Sequence, residues 1–130
     1  MQIHLTTTAI YASLLTLLLL SLAYRVILLR RRLLVGIGDG HKIELRRAIA
    51  AHQNAVENIP IMLFLMAIYE FNQGSDFWLQ ACAAMFTIGR LLNAWGVSRI
   101  NNNSPGRFYG MVMSVVAMIN LAIFNLTRLL

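Results

Sequence analysis

Residues 46–69, "RRAIAAHQNAVENIPIMLFLMAIY", place Arg46, Arg47, His52, Gln53, Asn54, Glu57 and Asn58 directly before a stretch, Ile61 to Tyr69, that is nearly pure hydrocarbon. In a helix, Asn54 and Glu57 stand at i and i+3, with Arg47 two turns before Asn54. All three then project from one face. Arg90 and Asn93 repeat the i, i+3 pairing further along the chain. Ser104-Pro105-Gly106-Arg107 reads as a helix start, with Ser104 as N-cap and proline at the first helical position. Arg107 then sits in a first turn with unpaired amide N–H groups and a positive dipole end. Together these residues predict a cavity with several cationic donors and one carboxylate, suited to a small zwitterion of net negative charge. The structural alternative is that Asn54 and Glu57 serve as hydrogen-bonding contacts between helices.

The elements that must position these groups are membrane helices. The chain has 130 residues, 58% of them hydrophobic and only 12% charged, and a mean hydropathy of +0.66. That balance excludes an ordinary soluble domain. A hydrocarbon core of about 30 Å needs roughly 20 helical residues. Four segments reach that length, at about 3–29, 44–71, 77–99 and 105–129. Turn-formers separate them: Gly36 to Gly40, Asn72 to Asp76, and Asn101 to Gly106. Short loops make consecutive helices antiparallel neighbours. The predicted fold is all-α, a single-domain integral membrane four-helix bundle in up-down-up-down order over residues 1–130.

The second segment carries the tension. Its apolar run from Ile59 to Tyr69 spans only about 16 Å at 1.5 Å per residue. The polar half must therefore lie at membrane depth or at the inner interface. An ionised Glu57 facing lipid is costly there, so its face must turn toward protein or a wet cavity. Pro60 removes a donor and frees the carbonyl of Val56, one turn from Glu57.

Loop charge sets the orientation. Arg30, Arg31, Arg32, Lys42, Arg46 and Arg47 cluster around the first loop, and Arg99 and Arg107 flank the third. The second loop has no Lys or Arg, only Asp76 with Glu70 nearby. The positive-inside rule puts the first and third loops in the cytoplasm and both termini outside. The net charge of +6 is read as topology signal and head-group contact, not as a nucleic-acid surface. The N-terminal apolar stretch, Leu5 to Leu29, has no basic flank before it and is too long for a signal-peptide core, so a retained helix is expected. The single cysteine, Cys82, excludes a disulfide framework or a cysteine-rich metal site, and reads as a small buried hydrophobe. Gly36, Gly38 and Gly40 follow a basic membrane edge instead of a strand, which argues against a nucleotide loop. The sequon Asn102-Asn103-Ser104 falls on the expected cytoplasmic side.

In order along the chain, "GDGHKIELRRAIAAHQNAVENIPI", "GRLLNAWG" and "SPGRFYGM" resemble the membrane-associated proteins in eicosanoid and glutathione metabolism, the MAPEG family, and in particular its small bacterial inner-membrane branch. Asn54 and Glu57 match the family's N-x-x-E on the second helix. The resemblance implies a homotrimer that binds glutathione as co-substrate between subunits, near the cytoplasmic half. His52, Asn54, Glu57 and Asn58 match glutathione-contacting positions, and Arg30 is a looser match from the first loop. Arg107 matches the arginine that activates the thiol. A family arginine four residues before the Asn is replaced by Ala50, for which Arg47 or Arg46 would compensate. Arg90 would add a cationic donor. Helix-three positions that carry tyrosine in the conjugating members are Asn93 and Val97.

The resemblance implies a glutathione-dependent transferase or peroxidase acting on lipophilic electrophiles in the bilayer. Such chemistry needs a thiolate at neutral pH, which a guanidinium at a helix N-terminus favours. The alternative is a non-catalytic trimer that binds lipid or a partner, and the altered helix-three positions favour it. A small multidrug exporter would carry its key carboxylate in the first helix, and this first helix has none.

Overall fold

The computed structural model describes residues 4–97 and 104–129, which form four helices and, among those residues, no strand. They are α1 (Thr6–Leu33), α2 (Ile43–Phe71), α3 (Asp76–Val97) and α4 (Pro105–Leu129). At 1.5 Å per residue they run from about 33 to about 44 Å, each longer than a hydrocarbon core. The expected third segment extended to 99, and residues 98 and 99 lie outside the described residues. So do the start expected at 3, Arg99, Asn101, Asn102 and Asn103.

The first helix runs further than expected, through Arg30, Arg31 and Arg32 to Leu33. Long cationic side chains reach water from a helix end, so the arginines do not stop it. What stops it is the backbone of Leu34, at φ 56° in the left-handed region. The N–H groups of Leu34 and Val35 bond back to the carbonyls of Arg31 (3.4 Å) and Arg30 (3.0 Å), closing the last turn. At the other end, Gly74 N–H bonds the Tyr69 carbonyl at 2.8 Å. A β-carbon on Gly74 would stand 2.2 Å from the Tyr69 ring, so only glycine fits that turn.

The buried positions follow helical spacing. On α2 they are Leu45, Ala48, Ala51, Ala55, Ile59, Met62, Met66 and Tyr69, and on α1 only Thr7, Thr8, Leu15, Leu22 and Leu29. Leu29, Leu45 and Ala48 form a second, smaller cluster. The main core joins Leu15 and Leu22 of α1 and the buried α2 positions from Ala51 to Tyr69 to Leu79, Cys82, Ala83 and Phe86 of α3 and Ala117 and Leu121 of α4. Cys82 is buried there, as its apolar setting predicted. Most of α1 faces outward, exposing Ile10, Leu14, Leu17, Leu20, Tyr24 and Ile27.

Lipid weakens the hydrophobic drive between helices, and polar contacts make up part of the difference. The Glu70 carboxylate, in the last turn of α2, accepts the N–H groups of Thr7 and Thr8 at 2.8 Å each. It caps a helix whose own N-cap, Leu5, has no side chain to do so. Asn125 Nδ2 on α4 donates to the Leu65 carbonyl at 3.0 Å, and Arg128 Nη1 to that of Gln73 at 2.8 Å.

By length and composition α1 and α4 are apolar enough to cross a membrane, and among the described residues α2 and α3 do not pass on their own. Four segments were expected to span, the second only with its polar half at membrane depth or the inner interface. The polar half of α2, with Arg90 and Asn93 of α3, accounts for the difference. Of these groups Asn54 meets Arg90 inside the bundle, while Gln53 and Glu57 are exposed.

Candidate functional site

Helices α3 and α4 approach most closely where the site forms. A β-carbon on Gly96 would lie 2.4 Å from the Arg107 amide nitrogen, and one on Gly110 2.5 Å from the Asn93 nitrogen. The two glycines bring the start of α4 against the end of α3. Asn93 Nδ2, nearly fully buried, then donates to the Arg107 carbonyl at 3.1 Å. The expected Ser104 cap is not made by its side chain. The Ser104 carbonyl accepts Arg107 N–H at 3.2 Å, while its hydroxyl is buried with no hydrogen-bond partner among the described residues.

One layer deeper, Arg90 is only 3% exposed. Its Nη1 donates to the side-chain and main-chain oxygens of Asn54, and its Nε donates to Ser114 Oγ at 3.0 Å. Ser114 in turn donates to the Gly110 carbonyl at 2.8 Å, and the guanidinium lies 5.7 Å from the Phe86 ring centroid. Asn58 Nδ2 bonds both oxygens of Asn54, at 2.7 Å to the carbonyl and 3.2 Å to Oδ1. Asn54 is thus fixed from two sides, by a cation and an amide.

Above this layer opens a cavity of about 270 Å³ lined by Ile43, Arg46, Arg47, Ala50, Asn54, Asn93, Gly96, Val97, Arg107 and Met111. Among the described residues, three arginines line it and no carboxylate does. Arg46 Nε is also paired with Asp39 at 2.5 Å, and this bond holds the half-buried Asp39 carboxyl below its ordinary range. A cavity so lined attracts an anion, and the amides of Asn54 and Asn93 add polar contacts.

The predicted residues separate into those the cavity gathers and those it does not. Arg47, Asn54 and Arg107 line it, and Arg90 and Asn58 stand behind Asn54. Arg30 lies elsewhere, donating to the carbonyls of Gly36 and Gly38 at 3.3 and 2.8 Å. His52 is half-buried and Glu57 exposed, and neither lines the cavity. Glu57 does not pair with Arg90 within the chain. Its contact is Gln53 Nε2 at 3.5 Å, because Asn54 takes the guanidinium.

A family model, that of the MAPEG family, matches residues 8–127. The chain belongs to the MAPEG family. It is 39% identical, over 89 residues, to the inner membrane protein YecN of Escherichia coli strain K12, a match that covers 68% of each chain. The YecN of E. coli O6:H1 strain CFT073 matches to the same extent. The protein is accordingly a membrane-embedded MAPEG protein with an inner-membrane relative.

Sequence reasoning missed Gly96, Gly110, Ser114 and Met111. The signal was present for the glycines, since Gly89 and Gly96 lie two turns apart on α3 and Gly106-x-x-x-Gly110 opens α4. Small residues at that spacing let membrane helices approach. Ser114 gave no such signal, because only the packed pair of helices brings it to Arg90.

Proposed function

We propose that this MAPEG protein is a glutathione-dependent transferase or peroxidase acting on lipophilic electrophiles, assembled as a homotrimer of up-down-up-down bundles. All four helices cross the inner membrane, α2 and α3 with their polar faces turned inward. The first and third loops are cytoplasmic and both termini outside. The observation that carries this reading is one cavity that gathers Arg46, Arg47, Asn54, Asn93 and Arg107 at the end of the bundle where α2 and α4 begin and α3 ends.

The roles follow from position. Arg46 and Arg47 attract the carboxylates of the tripeptide, and the amide groups of Asn54 and Asn93 meet its polar backbone. Arg107, in the first turn of α4, faces the sulfur. Its guanidinium and the nearby first-turn N–H groups favour thiolate over thiol. Among the described residues no histidine lines the cavity, and the thiol proton leaves to water. The sulfur electron pair then attacks the electrophilic carbon, displacing its leaving group, or attacks the terminal peroxide oxygen and breaks the O–O bond. The peroxide route gives glutathione sulfenic acid and an alkoxide that takes a proton from water. A second glutathione reduces the sulfenic acid to disulfide and water. Glu57, exposed midway along α2, is covered by a neighbouring copy in the trimer, because a carboxylate at that depth cannot face lipid.

The second reading, a binder without chemistry, is favoured by the apolar Ala50 and Val97 in the lining. Purified protein with a chlorodinitrobenzene separates the two. Glutathione-dependent conjugation supports the enzyme. A glutathione-induced rise in thermal midpoint without conjugation supports the binder, and neither effect removes glutathione from the account.

A further inference from the structure

Leu34 and Ile37, in the first loop, are 91% and 95% exposed. Leu34 is also held at φ 56°, a conformation that crowds the β-carbon of a residue such as leucine and that glycine adopts freely. A residue kept in a strained backbone with its hydrocarbon fully outward points to something that receives the side chain. Arg30 pins the loop by donating to the carbonyls of Gly36 and Gly38, so these side chains are presented by an ordered turn.

The charge around them is unbalanced. Both acids of the region are already paired, Asp39 with Arg46 and Glu44 with Arg32 at 2.5 Å each. Arg31 and Lys42 are exposed and have no carboxylate partner among the described residues. Arg31, with Arg30, Leu34, Val35 and Gly36, lines an open groove of about 300 Å³. The groove lies at the end of α1, a helix apolar enough to cross a membrane, and so at the level of the lipid head groups.

We infer that the first loop is an anchoring site for an anionic phospholipid, with the Arg30–Arg31 groove taking the phosphate and Leu34 and Ile37 entering the acyl boundary. A zwitterionic lipid brings its own cation to the phosphate and gains less from Arg31. This surface is distinct from the arginine-lined cavity and does not depend on the glutathione reading.

The test is native mass spectrometry of the full chain in detergent, with phosphatidylglycerol or phosphatidylcholine added in equal amounts. The wild type should retain phosphatidylglycerol preferentially. Arg31→Gln should cut that preference about fivefold, the ratio that corresponds to about 1 kcal/mol per surface cation. Ile37→Ser should weaken retention of both lipids. Leu34→Gly should do the same while raising the lipid-free thermal midpoint, since it relaxes the backbone as it removes the anchor. Equal retention of the two lipids by the wild type, or a preference unchanged in Arg31→Gln, would overturn the proposal. So would inorganic phosphate abolishing the preference at millimolar concentration, which would mark a free-phosphate site.

Discussion

Arg90 is a guanidinium at 3% exposure whose hydrogen-bond partners, Asn54 and Ser114, are both neutral. That arrangement changes what the N-x-x-E pair on α2 is for. Asn54 faces the cavity, but its side-chain oxygen is also the anchor of a buried cation. Asn54→Ala should therefore lower the ligand-free stability by about 1.5–3 kcal/mol, the range for a hydrogen bond to a charged group. Glu57→Ala should cost less, because no cation among the described residues pairs with it. Thermal unfolding of the two variants without glutathione checks the order, and the reverse order would put Glu57 back as the partner of a buried cation. Arg107 acts on a charge that the ground-state thiol lacks, so it should affect rate more than binding. Arg107→Ala should keep most glutathione affinity while losing about 10²–10³ in conjugation rate. The residue types and the i, i+3 spacing were legible in the sequence. The Asn54–Arg90 bond was not, since a cation at mid-membrane can be satisfied by an amide as readily as by a carboxylate, and only packing decides which.

At the scale of elements, two contacts set where the helices stand. The first is the approach of α3 to α4. Gly96→Ala would place a methyl 2.4 Å from the Arg107 nitrogen. Overpacking of this kind costs about 1–3 kcal/mol, and it should displace Arg107 from the cavity. The variant should lose conjugation even where its glutathione-induced stabilisation persists. The second is the cap that Glu70 gives α1. Glu70→Ala leaves two first-turn N–H groups without their acceptor, and the thermal midpoint in detergent should fall by the equivalent of about 2 kcal/mol. Glu70→Gln, which keeps one acceptor oxygen, should fall less. Helix number and most boundaries were readable from apolar runs and turn-formers. The end of α1 was not, because three arginines looked like a boundary and the stop is a left-handed leucine beyond them. In sequence, Glu70 was only a negative charge near the second loop. Its capping role needs the N-terminus of α1 beside the C-terminus of α2, a relation between residues more than sixty positions apart.

At the scale of the whole molecule, the six cations around the first loop and the lack of any in the second define one charged end, and the cavity opens toward it. Cysteines placed in the second loop should label from outside the cell, and a reporter fused at the C-terminus should read as external. Lipid can cover the outward apolar faces of α1 and α4, but the exposed Glu57 needs a polar cover that its own copy does not give. Native mass spectrometry should find a trimer. The central claim is that the arginine-lined cavity ionises the glutathione thiol. The most direct measurement is the ultraviolet difference spectrum of the purified protein titrated with glutathione at neutral pH. A saturable thiolate band in the wild type, absent in Arg107→Ala at the same glutathione occupancy, is the predicted result. Saturable binding with no thiolate band in the wild type would contradict it.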